Sequence, residues 1–574
     1  MALASEPAEM GEQCRGAPRH VVKGRAAAIV AARLGFLALT LAAAAPSLSA
    51  TPPRTWAGGY QLNGHHSSLS LSVSGSGESP SIKANMLIKD VSDVPLTDVS
   101  WKNGKFRGKL KEGDGTDSFD GRVTGNQIVG VVTKGGSSGP FRLIRLADVG
   151  DGQLRSIEGA YRGHRGTYLV ERLWVGHWII NMAEERSGEF RGIFPVGPNH
   201  FVAGPLLLTP APVQWDLRFS RNGMTVKHSG KTDLARKVPL HSEEISFMSG
   251  DVRLAGTLVE PESPGPHPAI VFMHGSGPAP RQSNFGLGYW LAAQGFAVLK
   301  YDKRGSGESG GDLAGIKYEQ LGEDGAAAAR WLSNRPEIDR GRIGFWGISE
   351  GGWTAPLAAT RFRNAAFVII ASGGGLSPAA GELLDTEDQL KTDGRFTSAQ
   401  ISDALNFQRL RDNYAQSGQG WDAYSAALAS AVKQPWWNYP STDLYGWSKP
   451  DSAGWKMKAA SYFYDPAPTL RALPCPILIL FGGLDTPAGV RADLAAIHQA
   501  LARNRKAQAT FRVFPKTSHN LFVARSGNEN DLDETTRFSP AYSPTITNWL
   551  LEHTSSSKRR SDLQTRRRLS SKAS

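Results

Sequence analysis

From His241 to Phe514 the sequence alternates two kinds of segment, and this alternation constrains the fold more than any other feature. Strand-like runs, several of them continuously apolar, occur at Ala269–Met273, Ala297–Tyr301, Ile343–Trp346, Ala366–Ala371, Ile477–Phe481 and Thr510–Phe514, with Glu244–Phe247 and Val252–Val259 leading in. Between several of them lie helical runs, Leu287–Ala293, Gly322–Asn334, Gly351–Thr360 and Ala488–Ala502. A strand that is apolar on both sides has no face to give to water, so helices must cover both faces of its sheet. The expected fold is therefore α/β, a doubly wound, mostly parallel sheet spanning 241–554. Residues 376–473 break the rhythm with polar helix formers and aromatics (Trp421, Trp436, Trp437, Tyr439, Tyr445, Trp447, Trp455). So long an insertion is not a plain loop and reads as a helical cap.

A chain of 574 residues has room for further units. Residues 51–240 carry short runs punctuated by Gly, Ser, Asn and Asp, among them Ser68–Val73, Asn126–Val132, Tyr168–Trp174 and His177–Met182, which predict a β-rich N-terminal region. Two blocks, 51–150 and 151–240, look loosely alike. The first opens on Trp56-Ala57-Gly58-Gly59-Tyr60, the second on Ile157-Glu158-Gly159-Ala160-Tyr161, and aromatic–glycine clusters recur in both. Small meanders or half-barrels suit that pattern. They are expected to cover part of the rest; glycan or other ligand binding is the alternative.

Gly347-Ile348-Ser349-Glu350-Gly351 follows the apolar run Ile343–Trp346 and opens a helical run. A serine raised on a sharp strand-to-helix turn needs neighbours without side chains, and the helix N-terminus beneath it favours developing negative charge. Such a serine needs a base, and the base needs an orienting acid. Asp485 stands just past the run Ile477–Phe481, and His519 just past Thr510–Phe514. Both fall at the carboxyl ends of strands, where an open α/β sheet places its site. Asp465 precedes the seventh strand, Asp531 and Asp533 follow the histidine, His498 lies inside a helical run and His553 near the chain end. For a tetrahedral oxyanion, the amide of Glu350 is one expected donor, and the loop His274-Gly275-Ser276-Gly277 supplies the other, from Ser276 first and Gly275 second. His274 is expected to brace that loop. Gly305-Ser306-Gly307-Glu308-Ser309-Gly310 has the spacing of a dinucleotide site, but no clear helix opens after it, and it reads as a turn packed beside the strand-to-helix turn at Ser349.

Through HGSG at 274–277, YDKRGSGES at 301–309, GISEGG at 347–352 and the Asp485/His519 pair, residues 241–554 resemble the α/β-hydrolase superfamily. Within it they resemble bacterial exported esterases and serine-aminopeptidase-like hydrolases with a β-rich N-terminal extension. The resemblance implies Ser349 as nucleophile, His519 as base, Asp485 as orienter, and neither metal nor organic cofactor. It leaves the substrate open: a carboxylic ester first, with a peptidase or acyltransferase using the same residues as the alternative. A peptidase would need acids for a free amine, such as Glu350 or Asp385, Glu387 and Asp388. A secreted binding protein with a degenerate hydrolase fold is the reading from another class.

The net charge of +12 does not call for nucleic acid. Much of it sits in the tail 555–574, where Lys558, Arg559, Arg560, Arg566, Arg567, Arg568 and Lys572 face only Asp562, and which reads as a disordered basic end. Residues 1–50 form a leader in which Lys23, Arg25 and Arg33 precede the apolar stretch Leu34–Ala45 and small residues up to Ala50. That is the layout of a secretory signal peptide, too short to span a bilayer, and it predicts an exported, periplasmic or extracellular protein. Only Cys475 would remain in the mature chain, so no intrachain disulfide is expected there.

Overall fold

The computed structural model describes residues 54–554, apart from 76–77, 87–90, 113–114, 175–177, 284–286, 438, 440–454, 456–458 and 526–535. The leader, the basic tail, Tyr445, Trp447, Asp531 and Asp533 lie outside the described residues. Among those described, no helix is long and apolar enough to cross a membrane.

The strands of the third sheet are β1 (Leu240–Ser249), β2 (Val252–Pro261), β3 (His267–Met273), β4 (Ala297–Tyr301), β5 (Ile338–Ile348), β6 (Ala365–Ala371), β7 (Ile477–Gly482) and β8 (Ala509–Phe514). Their order is β1-β2-β4-β3-β5-β6-β7-β8. The pairs β1–β2 and β2–β4 are antiparallel, and every later pair is parallel. Every residue of β4 and β7 is buried, Lys300 of β4 included, and the run Ile477–Phe481 is apolar throughout, as burial on both faces requires. One face packs on the helices Tyr318–Ser333, Gly351–Arg361 and Pro487–Leu501. The other is covered by Leu287–Ala293 and Tyr542–Thr554, and by something that is not a helix.

That cover is the second of two antiparallel sheets. Each has nine strands, the first within Arg54–Arg145 and the second within Gly159–Lys237. Numbered from its own start, each runs 4-3-2-1-9-8-7-6-5, so the two blocks share one topology. The first strand pairs with both the second and the last, which curls the meander toward a barrel. The strands alternate as half-buried ones do: Leu69, Leu71 and Val73 turn inward from His65–Ser74, whereas Val129 and Val131 of Gln127–Lys134 face outward.

The cap comprises helices Pro378–Asp393, Ser398–Ser417, Trp421–Ala431 and Ala467–Ala472. Its aromatics pack mainly on one another, with Phe407, Tyr414, Tyr424, Trp436 and Trp455 in a common core.

Candidate active site

Ser349 leaves β5 with φ 54°, in the left-handed region that a non-glycine residue adopts only at a cost. Its neighbours show why glycine is needed there. A Cβ on Gly347 would lie 2.2 Å from the carbonyl oxygen of Gly351, and one on Gly352 would lie 2.7 Å from Gly373. The helix Gly351–Arg361 starts directly beyond Glu350. The turn is held to the next strand, since Ser349 N–H donates to Ala371 O at 2.9 Å.

Asp485 and His519 come from the loops after β7 and β8. These loops are laced by backbone bonds, Gly483 N–H to Phe514 O and Leu484 N–H to Thr517 O, both 2.9 Å. A side chain on Gly482 would strike Ser518 O at 2.2 Å, so that close approach depends on glycine. The result is a direct contact: His519 Nδ1 lies 3.0 Å from each carboxylate oxygen of Asp485. A carboxylate only accepts, so Nδ1 donates to it, and in the neutral ring Nε2 is then the acceptor nitrogen. Ser372, also at positive φ, donates its hydroxyl to the carbonyl of His519 at 2.7 Å, which ties the histidine loop to the end of β6 beside Ser349.

The loop after β3 approaches from the other side. A Cβ on Gly275 would stand 3.9 Å from the Cβ of Ser349, and Ser276 follows, exposed. His274 is buried, and its Nε2 bonds the carbonyl of Tyr301; burial, then the nearby Lys303 charge, pushes its pKa down to about 4. A neutral ring fixed this way braces the loop. The segment Gly305–Gly310 is a pair of tight turns, with Asp302 accepting from Arg281 and from Glu308 N–H, and the next helix opens only at Tyr318.

The acids weighed for a substrate amine have other partners. The Glu350 carboxylate is buried against Lys303, and burial raises its pKa while that ammonium opposes the rise. Asp385 accepts from Gln389 and Thr486, Asp388 accepts from Ala488 N–H, and Glu387 pairs with Lys391. The cap helix Pro378–Asp393 is thereby pinned to the loop that carries Asp485. His498 packs on Phe511, and His553 bonds Trp549 O within its own helix.

Two residues were missed by sequence reasoning. Lys303, buried in the YDKRGSGES stretch, reaches Gly275 O at 3.0 Å and Gly277 O at 3.1 Å as well as Glu350. Asp493, in the helix after Asp485, accepts from Gly375 and Leu376 N–H; burial, set against those bonds, pushes its pKa up to about 6. An acid on an otherwise apolar helical face was its only signal.

Residues 249–517 match the family model of the X-Pro dipeptidyl-peptidases (S15 family). The esterase EstD of Thermotoga maritima is 26% identical over 281 residues, 46% of this chain and 58% of that protein. The uncharacterized peptidase YtmA of Bacillus subtilis is 30% identical over 132 residues, 23% of this chain and 50% of that one. The chain thus spans about half the length of these relatives, 58% of the first and 50% of the second. The dienelactone hydrolase structure from Anabaena variabilis aligns at a TM-score of 0.31 and 17% identity over 55% of this chain and 98% of that one, a weak likeness. The sheet order and the strand-to-helix turn at Ser349 are those of an α/β-hydrolase fold, and the sequence matches make residues 249–517 similar to hydrolases of the esterase and peptidase kinds.

Proposed function

We propose that the chain hydrolyses carboxylic esters through an acyl-enzyme, with Ser349 as nucleophile, His519 as general base and Asp485 as its orienter. The observation that carries this reading is the contact between His519 Nδ1 and both oxygens of Asp485, on loops laced together and tied through Ser372 to the end of β6, the strand next to the serine's. His519 Nε2 takes the proton of Ser349 as its oxygen attacks the carbonyl. The amides of Glu350 and Ser276, with Gly275 as the alternative to Ser276, hold the oxyanion, and the same histidine then returns the proton to the leaving alcohol. Water activated by His519 releases the acid and restores the serine.

A peptidase is the second reading, favoured by the match to the X-Pro dipeptidyl-peptidase family. The other partners of Glu350, Asp385, Glu387 and Asp388 weigh for the ester, since an amine-binding acid must be open to its substrate. Turnover of p-nitrophenyl butyrate against Xaa-Pro-p-nitroanilide separates the two. Ester hydrolysis is expected to dominate, and Ser349→Ala to lower it at least about 10³-fold. Undiminished activity in that variant would refute the mechanism. Export by way of the leader is part of the proposal, and the N-terminal sequence of the protein recovered from the cell exterior or periplasm tests it: a start near residue 50 supports it, an intact Met1 opposes it.

A further inference from the structure

Lys303 is a cation almost wholly removed from water, with side-chain exposure of 3%. Such a charge persists only where partners replace its hydration, and here there are three. Two are carbonyl oxygens of the loop after β3, those of Gly275 and Gly277; the third is the carboxylate of Glu350, the residue after the serine. One ammonium thus joins the two backbone segments from which the proposed oxyanion donors come.

The orientation has a consequence. In a planar trans peptide the C=O and the following N–H point in opposite directions. Holding Gly275 O toward Lys303 turns the N–H of Ser276 away from it, to the far side of a loop whose Gly275 borders Ser349. Accepting from a cation also polarises that peptide unit, which strengthens its N–H as a donor. The loop has small residues at Gly275, Ser276 and Gly277, so its own conformational preference is weak and an outside clamp decides the peptide's direction.

We propose that Lys303 is a positioning residue for the oxyanion hole, aiming the Ser276 amide at the substrate oxygen by holding Gly275 and Gly277 from below. This rests on the acyl-enzyme reading and adds the device that keeps its loop in register. Glu350 balances the lysine's charge, and its side chain anchors the clamp to the turn at Ser349.

The test compares Lys303→Met with the double variant Lys303→Met/Glu350→Gln on p-nitrophenyl butyrate. Lys303→Met is expected to lower kcat about 10²-fold, the scale of one lost oxyanion donor, with KM within about threefold. Affinity for an alkyl boronic acid, which places an anionic tetrahedral centre at the same spot, should fall by a similar factor. Lys303→Met also leaves Glu350 buried without its cation, so it should melt earlier. The double variant removes that stray charge and is expected to recover melting temperature but not kcat. Recovery of kcat in the double variant would reduce Lys303 to a neutralising charge and overturn the proposal, as would an unchanged kcat in Lys303→Met. If Ser349→Ala retains activity, the acyl-enzyme reading itself has failed; if Ser349→Ala is inactive and Lys303→Met is not impaired, only the clamp has.

Discussion

The two nine-stranded sheets share a strand order, yet they spend their apolar surface differently. The first closes on itself: Trp56, Phe106, Phe119 and Phe141 belong to a core formed within residues 54–145. It meets the second sheet through Ile144, Val202 and Ala211. The second sheet has an inner core of the same kind, built on Tyr161, Phe201, Trp215 and Phe219. Its opposite face contributes Leu169, Leu173, Ala183 and Phe190 to the core of the catalytic sheet. Phe190 lies 5.2 Å from both Phe522 and Phe538, Phe190 N–H donates to Thr536 O at 2.8 Å, and the buried Lys300 of β4 pairs with Glu171. At Gly188 a Cβ would sit 2.5 Å from Phe538 O, so the sheet's turn is pressed against the segment that follows His519. Equal topology therefore does not mean equal role. The second sheet does for one face of the catalytic sheet what helices do elsewhere, while among the described residues no side chain before Ala160 enters either catalytic core.

Truncation should break this comparison most sharply. A chain starting at residue 150 is expected to stay soluble with nearly unchanged kcat/KM, whereas one starting at 240 exposes the Phe190 contact face and should be inactive or aggregated. Equal activity in both would contradict the asymmetry. Single aromatic deletions come next. Phe190→Ala and Phe141→Ala each empty a buried site, with exposures of 0% and 1%, and each should cost about 3–5 kcal/mol locally. Only Phe190→Ala is expected to lower the temperature at which esterase activity is lost; a shift of equal size in Phe141→Ala would show that the sheets are coupled alike.

The smallest effect concerns Asp233 of the second sheet. Burial would raise its pKa, but bonds from Arg165 N–H, the Tyr168 hydroxyl and His164 N–H outweigh that and lower it. A depressed folded pKa adds stability above the unfolded value near 4, and that stability is lost as pH falls through the folded pKa. Asp233→Asn should therefore destabilise at pH 7, by a margin that shrinks below about pH 4. Chemical denaturation across that range checks it; a margin independent of pH would mean that the charge is not what these bonds hold.

Much of the catalytic sheet was legible because its signals are local. A run such as Ile477–Phe481 has no polar face and so is buried on both sides, and Gly347 is demanded by a contact with Gly351 four residues on. The order of Asp485 and His519 followed from strand ends for the same reason. What stayed hidden depends on partners far along the chain. The apolar residues of Tyr168–Leu173 call for burial but do not say against what, and Phe190 meets Phe538 across most of the length of the following domain. Lys303 gives no signal in the sequence, because a lysine in a turn is ordinarily solvated; its three partners are visible only in space. Glu350 looked open to a substrate amine for the same reason.

In the proposed mechanism Ser349 forms the covalent intermediate. Intact-mass and peptide-level mass spectrometry after reaction with a fluorophosphonate tests it most directly. One adduct per chain is expected, on the peptide carrying Ser349, abolished in Ser349→Ala and greatly slowed in His519→Ala. An unlabelled wild-type chain, or an adduct on another serine, would contradict it.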